Sequence, residues 1–160
     1  MKTALFFVIF TVLFLNCSSN NSEPILIEIE EDFSSIENPK ERWEAYELED
    51  YYIEQGWSCE CIQPYGVEIY VKGGSLLNYS FENFLDEELQ SEEEFAVTRI
   101  STIEKAFRLI DEYQNVADTV IVEYHPKFGY PTSLKIDKSF RIADEEVSYT
   151  FQGLKRVIQY

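Results

Sequence analysis

The chain has a single histidine, three cysteines, and 13 lysines and arginines set against 30 aspartates and glutamates in 160 residues. Each shortage closes off some chemistry. At a formal charge of -17 the protein repels phosphate backbones, so nucleic acid is excluded as a partner. A zinc centre needs four ligands, and two neighbouring thiols with one imidazole leave no second pair to complete it. No serine stands in a nucleophile elbow, and His125 has no evident serine or cysteine partner to activate. Carboxylates are plentiful enough for the paired arrangement that cleaves glycosides, but the sequence singles out no pair.

Long apolar runs are missing too. The longest extends from Ala4 to Leu15, interrupted by Thr11, and at about 1.5 Å per helical residue it falls well short of a ~30 Å hydrocarbon core. Met1 and Lys2 precede it and Cys17 closes it, which is the layout of a cleaved leader. Leu13-Phe14-Leu15-Asn16-Cys17 reads as a loose lipobox, with residues 1–16 as the lipoprotein signal peptide. Cys17 then becomes the mature first residue, its thiol carrying a diacylglycerol and its amine a third acyl chain. At about 0.8 kcal/mol per buried CH₂, such chains hold a protein on a membrane almost permanently. An ordinary secretory signal cut nearby is the other reading. Ser18 in place of the aspartate that retains lipoproteins in the inner membrane favours an outer-membrane address.

Residues 17–33 form the lipidated start and a small, polar tether, and residues 34–160 a single domain of ordinary size. Aromatic residues make up 16% of the chain, enough for a real core. Ile25 to Ile29 reads either as a strand or, with Glu28, Glu30, Glu31 and Asp32, as an extended acidic tether. Ser35 or Asn38 caps a helix from Pro39 to about Tyr46. The period then changes to two. Tyr51, Ile53, Trp57, Cys59 and Cys61 share one strand face, while Tyr52, Glu54, Ser58 and Glu60 share the other.

Gln63-Pro64-Tyr65-Gly66 is expected to turn, Val67–Lys72 to form a second strand, Gly73-Gly74 a tight hairpin, and Leu76–Phe81 a third strand. Glu82 to Phe95 reads as an exposed acidic loop. Ser101 and Glu104 make a capping box for an amphipathic helix from Thr102 to about Gln114. Three further strands follow at Thr119–Tyr124, Thr132–Asp137 and Glu146–Phe151. The expected class is α+β: an antiparallel sheet of about six strands with two main helices on one face, arranged as two helix-plus-three-strand halves.

Trp43, Cys59-x-Cys61, Val67-x-Ile69-x-Val71-x-Gly73-Gly74, Thr102-Ile103-Glu104, Gly129-Tyr130-Pro131-Thr132 and Asp144-Glu145-Glu146 together resemble an uncharacterised bacterial family. That family is a domain of unknown function found in secreted proteins and lipoproteins, and the likeness covers roughly Trp43 to Phe151. His125 departs from it, standing where the family usually has aspartate. The resemblance implies a fold and a location, and no activity.

Two clusters are candidates for chemistry. Cys59 and Cys61, two apart on a strand, place their Cα atoms about 6.6 Å apart, near the upper limit for a disulfide. A strained structural bridge, two small reduced core residues, and a redox or metal role all fit. Asp137, Asp144, Glu145 and Glu146 flank one connection and could gather round a hard cation beside Tyr130, although they lack the spacing of a dedicated calcium loop. No cofactor is called for. The expected function is a noncatalytic, lipid-anchored binding module of the cell envelope, in contact with the membrane through Cys17 and with an envelope protein or a cation. The alternative is an envelope redox or metal-dependent accessory built on Cys59 and Cys61.

Overall fold

A computed structural model describes residues 24–59, 62–81, 98–142 and 146–159. In chain order its elements are β1 (Ile25–Ile27), α1 (Pro39–Glu44), β2 (Tyr51–Cys59), β3 (Ile62–Lys72), β4 (Ser75–Phe81), α2 (Ile103–Tyr113), β5 (Thr119–Tyr124), β6 (Pro131–Asp137) and β7 (Val147–Gln159). All seven strands join one sheet in the order β4-β3-β2-β7-β6-β5, with β1 added to β7, and every pairing is antiparallel. β7 is the spine. One of its edges runs along β2 for nearly its whole length, and the other is shared by β6 near its start and β1 near its end.

The period-two pattern of β2 decides which face is dry. Tyr51, Ile53, Gln55 and Trp57 are buried, and beside them on the same face lie Val67, Ile69, Val71, Leu134, Ile136, Tyr149 and Phe151. The helices cover this face. Trp43 of α1 packs edge-on to Tyr51 at 5.5 Å, and α2 buries Ile103, Ala106, Phe107 and Ile110. At about 1.5–3 kcal/mol for each large apolar side chain, that stripe is what holds so short a helix in place. Asn38 caps α1 by accepting from the amides of Lys40 and Glu41, with Pro39 in the first turn. Thr102, rather than Ser101, caps α2, accepting from Lys105 N at 3.3 Å. Ser101 is instead buried, its amide donating to Gln55 Oε1 at 2.7 Å.

The α+β expectation is overturned: the domain is mainly β. The two described helices have only 6 and 11 residues, and the strands run through positions that read as breakers. Pro64 does not turn the chain. It lies within β3, where the register against β2 slips and β3 takes an extra residue between Tyr65 and Ile62. Among the described residues the β3–β4 ladder begins at Val67, so it makes no demand on the missing amide of Pro64. Likewise β7 continues past Phe151 to Gln159, because Gly153, at φ 68, forms a bulge opposite Ile53 and the ladder resumes at Lys155. The stretch left open at Ile25 is a strand, paired with the last residues of β7. The two halves keep the expected element order, each described helix being followed by three strands, and they meet where β2 abuts β7.

Candidate functional site

Among the described residues no helix covers the second face of the sheet, and its middle is shaped by an absence of side chains. Gly56 pairs with Gly66 on one side and with Thr150 on the other. A Cβ at Gly56 would overlap the Thr150 hydroxyl, so the strands approach each other there only because the residue is glycine. The result is a cleft of about 140 Å³ with a glycine floor, walled by Glu54, Glu68, Thr150 and Gln152.

Glu54 and Glu68 are direct cross-strand partners, an arrangement that like charges disfavour. Tyr52 sits beside them, its hydroxyl 3.2 Å from Glu54 Oε1 and 3.1 Å from Glu68 Oε1. A phenol has one proton to donate, so one carboxylate always goes without. Burial, reinforced by the Glu68 and Glu54 carboxylates, drives the Tyr52 pKa far above the usual phenol range and keeps that proton in place. Gln152 Nε2 donates to Glu54 Oε2 at 2.9 Å, and Gly153 leaves room for the same carboxylate. Tyr70 leans on Tyr52 with ring centroids 5.1 Å apart. Lys155, opposite Tyr52 in register, pairs with Glu28 instead. Among the described residues the cleft is therefore rich in hydrogen-bond acceptors and short of donors, the complement of an ammonium or guanidinium group.

The residues expected to carry chemistry are placed differently. Cys17, Cys61, Asp144 and Glu145 lie outside the described residues, as do the leader and the acidic stretch from Glu82 to Phe95. The backbone of Cys59 ends β2 opposite Ile62 and Val147. Asp137 and Glu146 fall at the same end of the β6–β7 pair, where Glu146 forms an ion pair with Lys135. Tyr130 is at the other end of β6, buried against Trp43 and stacked on His125 at 5.1 Å; burial alone pushes its pKa up to about 12. It packs the core and does not meet Asp137 or Glu146. His125 Nδ1 accepts from the amides of Lys127 and Phe128, making the ring a turn cap, and burial lowers its pKa. Among the described residues no three histidine, cysteine or carboxylate side chains gather as a metal site would require, and no helix is long and apolar enough to cross a membrane.

Glu54 and Glu68 were visible in the sequence as polar-face residues, but their pairing was not. It depends on where the β2–β3 hairpin turns. A turn at Gln63–Gly66 would have centred the hairpin several residues too late and matched Glu54 to a position beyond β3.

Residues 35–156 match the model of a family of unknown function, DUF6174. No curated protein and no solved structure matches the chain.

Proposed function

We propose that this chain, which belongs to the DUF6174 family, is a lipid-anchored, noncatalytic binding module of the bacterial cell envelope. Its open sheet face takes a basic group of an envelope partner into the cleft between Glu54 and Glu68. The observation that carries the binding half is the sharing of one Tyr52 proton between two facing carboxylates above a glycine floor. A guanidinium brings donors in a planar fork and satisfies the carboxylate left short, which a second phenol proton never could. Lipid anchoring is supported by the Leu13-Phe14-Leu15-Asn16-Cys17 box behind a short apolar run.

Each half has its own test. Titration of an oligoarginine peptide into the protein should give binding that weakens about tenfold in Glu54→Gln/Glu68→Gln and falls with salt. Equal binding by the double variant would remove the cleft from the proposal. Expression with labelled palmitate should mark the wild type and leave Cys17→Ser unlabelled and free of the membrane; a labelled or membrane-bound Cys17→Ser would remove the anchor.

A further inference from the structure

The end of the sheet where the chain enters the domain carries three exposed isoleucines, Ile25, Ile27 and Ile158. β1 runs antiparallel to the last residues of β7, with Ile27 opposite Arg156. Ile25 and Ile27 share one side of this two-stranded ribbon, and Ile158 is the extra residue of β7 at the register shift beside Ile25, between Val157 and Gln159. All three are exposed, at 46%, 39% and 57%. Two of the neighbouring carboxylates are paired: Glu28 with Lys155 at 3.6 Å and Glu31 with Arg156 at 2.9 Å.

We infer that this ribbon end rests on the lipid surface to which Cys17 is anchored, with Ile25, Ile27 and Ile158 dipping into the headgroup boundary. The inference rests on the lipid-anchor reading of Cys17 given above. The length of chain outside the structure argues for this occupant. Eight peptide steps separate Cys17 from Ile25, and at most about 3.5 Å per residue they reach no further than roughly 28 Å. A tether that short holds the patch at a high effective concentration beside the bilayer, so a weak apolar contact suffices to fix orientation. It also directs the rest of the domain outward. The opposite end of β7 lies roughly 40 Å away at about 3.3 Å per residue, so the loop bearing exposed Phe140 faces away from the membrane.

The test uses the full chain, processed and lipidated in a bacterial host and reconstituted into phosphatidylethanolamine–phosphatidylglycerol vesicles containing a brominated phosphatidylcholine. Trp43 and Trp57 are buried, so an added surface tryptophan reports its own surroundings. Ile158→Trp should lose most of its added fluorescence to the brominated lipid, while Phe140→Trp, at the far end, should lose almost none. Equal quenching of the two, or none in either, in protein that still floats with the vesicles would overturn the lipid contact and leave the anchor standing. Failure to float would bring down the anchor and the inference together. If Ile158→Trp goes unquenched and Ile25→Ser/Ile27→Ser/Ile158→Ser turns a dimer into a monomer, the patch belongs to a second copy of the chain and the inference is wrong.

Discussion

Tyr51 and Glu104 meet across the core: the Tyr51 hydroxyl donates to Glu104 Oε2 at 2.8 Å and accepts from the Ile103 amide at 3.0 Å. A side chain from the centre of the sheet thus satisfies one of the four amides that every helix leaves unpaired at its start. The capping Thr102 and the strand residue divide the work of beginning α2.

Tyr51→Phe should therefore cost more than one hydrogen bond. Ile103 is fully buried, and its amide would be left without a partner where no water reaches. The expected loss is about 1–3 kcal/mol, read as a lower urea midpoint at unchanged slope. Faster amide exchange in the first turn of α2 should accompany it. A midpoint equal to the wild type would show that the contact contributes nothing to stability.

Gly129 supplies a second sharp case. Its φ is 81, and a Cβ there would overlap the Pro39 carbonyl oxygen and come within 3.0 Å of the Arg42 Cβ, so the turn before β6 is pressed against α1. Gly129→Ala should destabilise by at least about 2 kcal/mol, since both backbone strain and backbone overlap oppose it. Gly74→Ala shares the strain, with φ 69, but meets nothing within 4 Å, and should cost nearer about 1 kcal/mol. Equal losses would mean that the α1 contact yields freely.

These two positions also show where the sequence was legible. The alternation of Tyr51, Ile53 and Trp57 announced a dry strand face, and Ile103, Ala106, Phe107 and Ile110 announced a helix that had to cover something. Periodicity reports burial. It does not report register, and bulges work against it: Pro64 and Gly153 look like ends of strands, yet each only adds a residue to a strand that continues. Reading them as ends shortened β3 and β7, inflated the share of the helices and hid the fact that Glu54 faces Glu68. The separation of Tyr130 from Asp137 and Glu146 was hidden for a related reason. Tyr130's partners, Trp43 and His125, are distant or unremarkable in sequence, while the carboxylates grouped with it lie at the other end of β6.

Acid should weaken the fold first through His125. Burial, helped by Lys127, holds its imidazole below the ordinary value of 6.5, and its Nδ1 must stay unprotonated to accept from two amides. The unfolded chain therefore binds a proton that the folded chain resists. Stability is present above the unfolded value and declines as pH falls through it, until the folded imidazole also protonates. Urea midpoints taken from about pH 7.5 down to about pH 5.5 should fall for the wild type, before carboxylates begin to titrate. His125→Gln should flatten that slope. A slope unchanged by the substitution would assign the acid sensitivity to other groups.

Glu68→Gln should move stability and binding in opposite directions. Removing one of two like charges placed directly across a strand pair relieves repulsion, and the amide that replaces it can donate to Glu54. The fold should gain a few tenths of a kcal/mol to about 1 kcal/mol, seen as a higher urea midpoint. The same amide fills the need for donors that makes the cleft receptive to a cation, so affinity for an oligoarginine peptide should drop. Glu68→Ala removes the charge without supplying an amide, so it should relieve the repulsion, leave the Tyr52 proton to Glu54 alone, and take from the cleft one of its two carboxylates. If Glu68→Gln lowered both stability and binding, the two carboxylates would be structural supports for the strand pair. If it raised stability and left binding intact, the basic ligand would have to be met elsewhere on the protein. Only a rise in one with a fall in the other fits a site that keeps an unfavourable charge pair for the sake of what it binds.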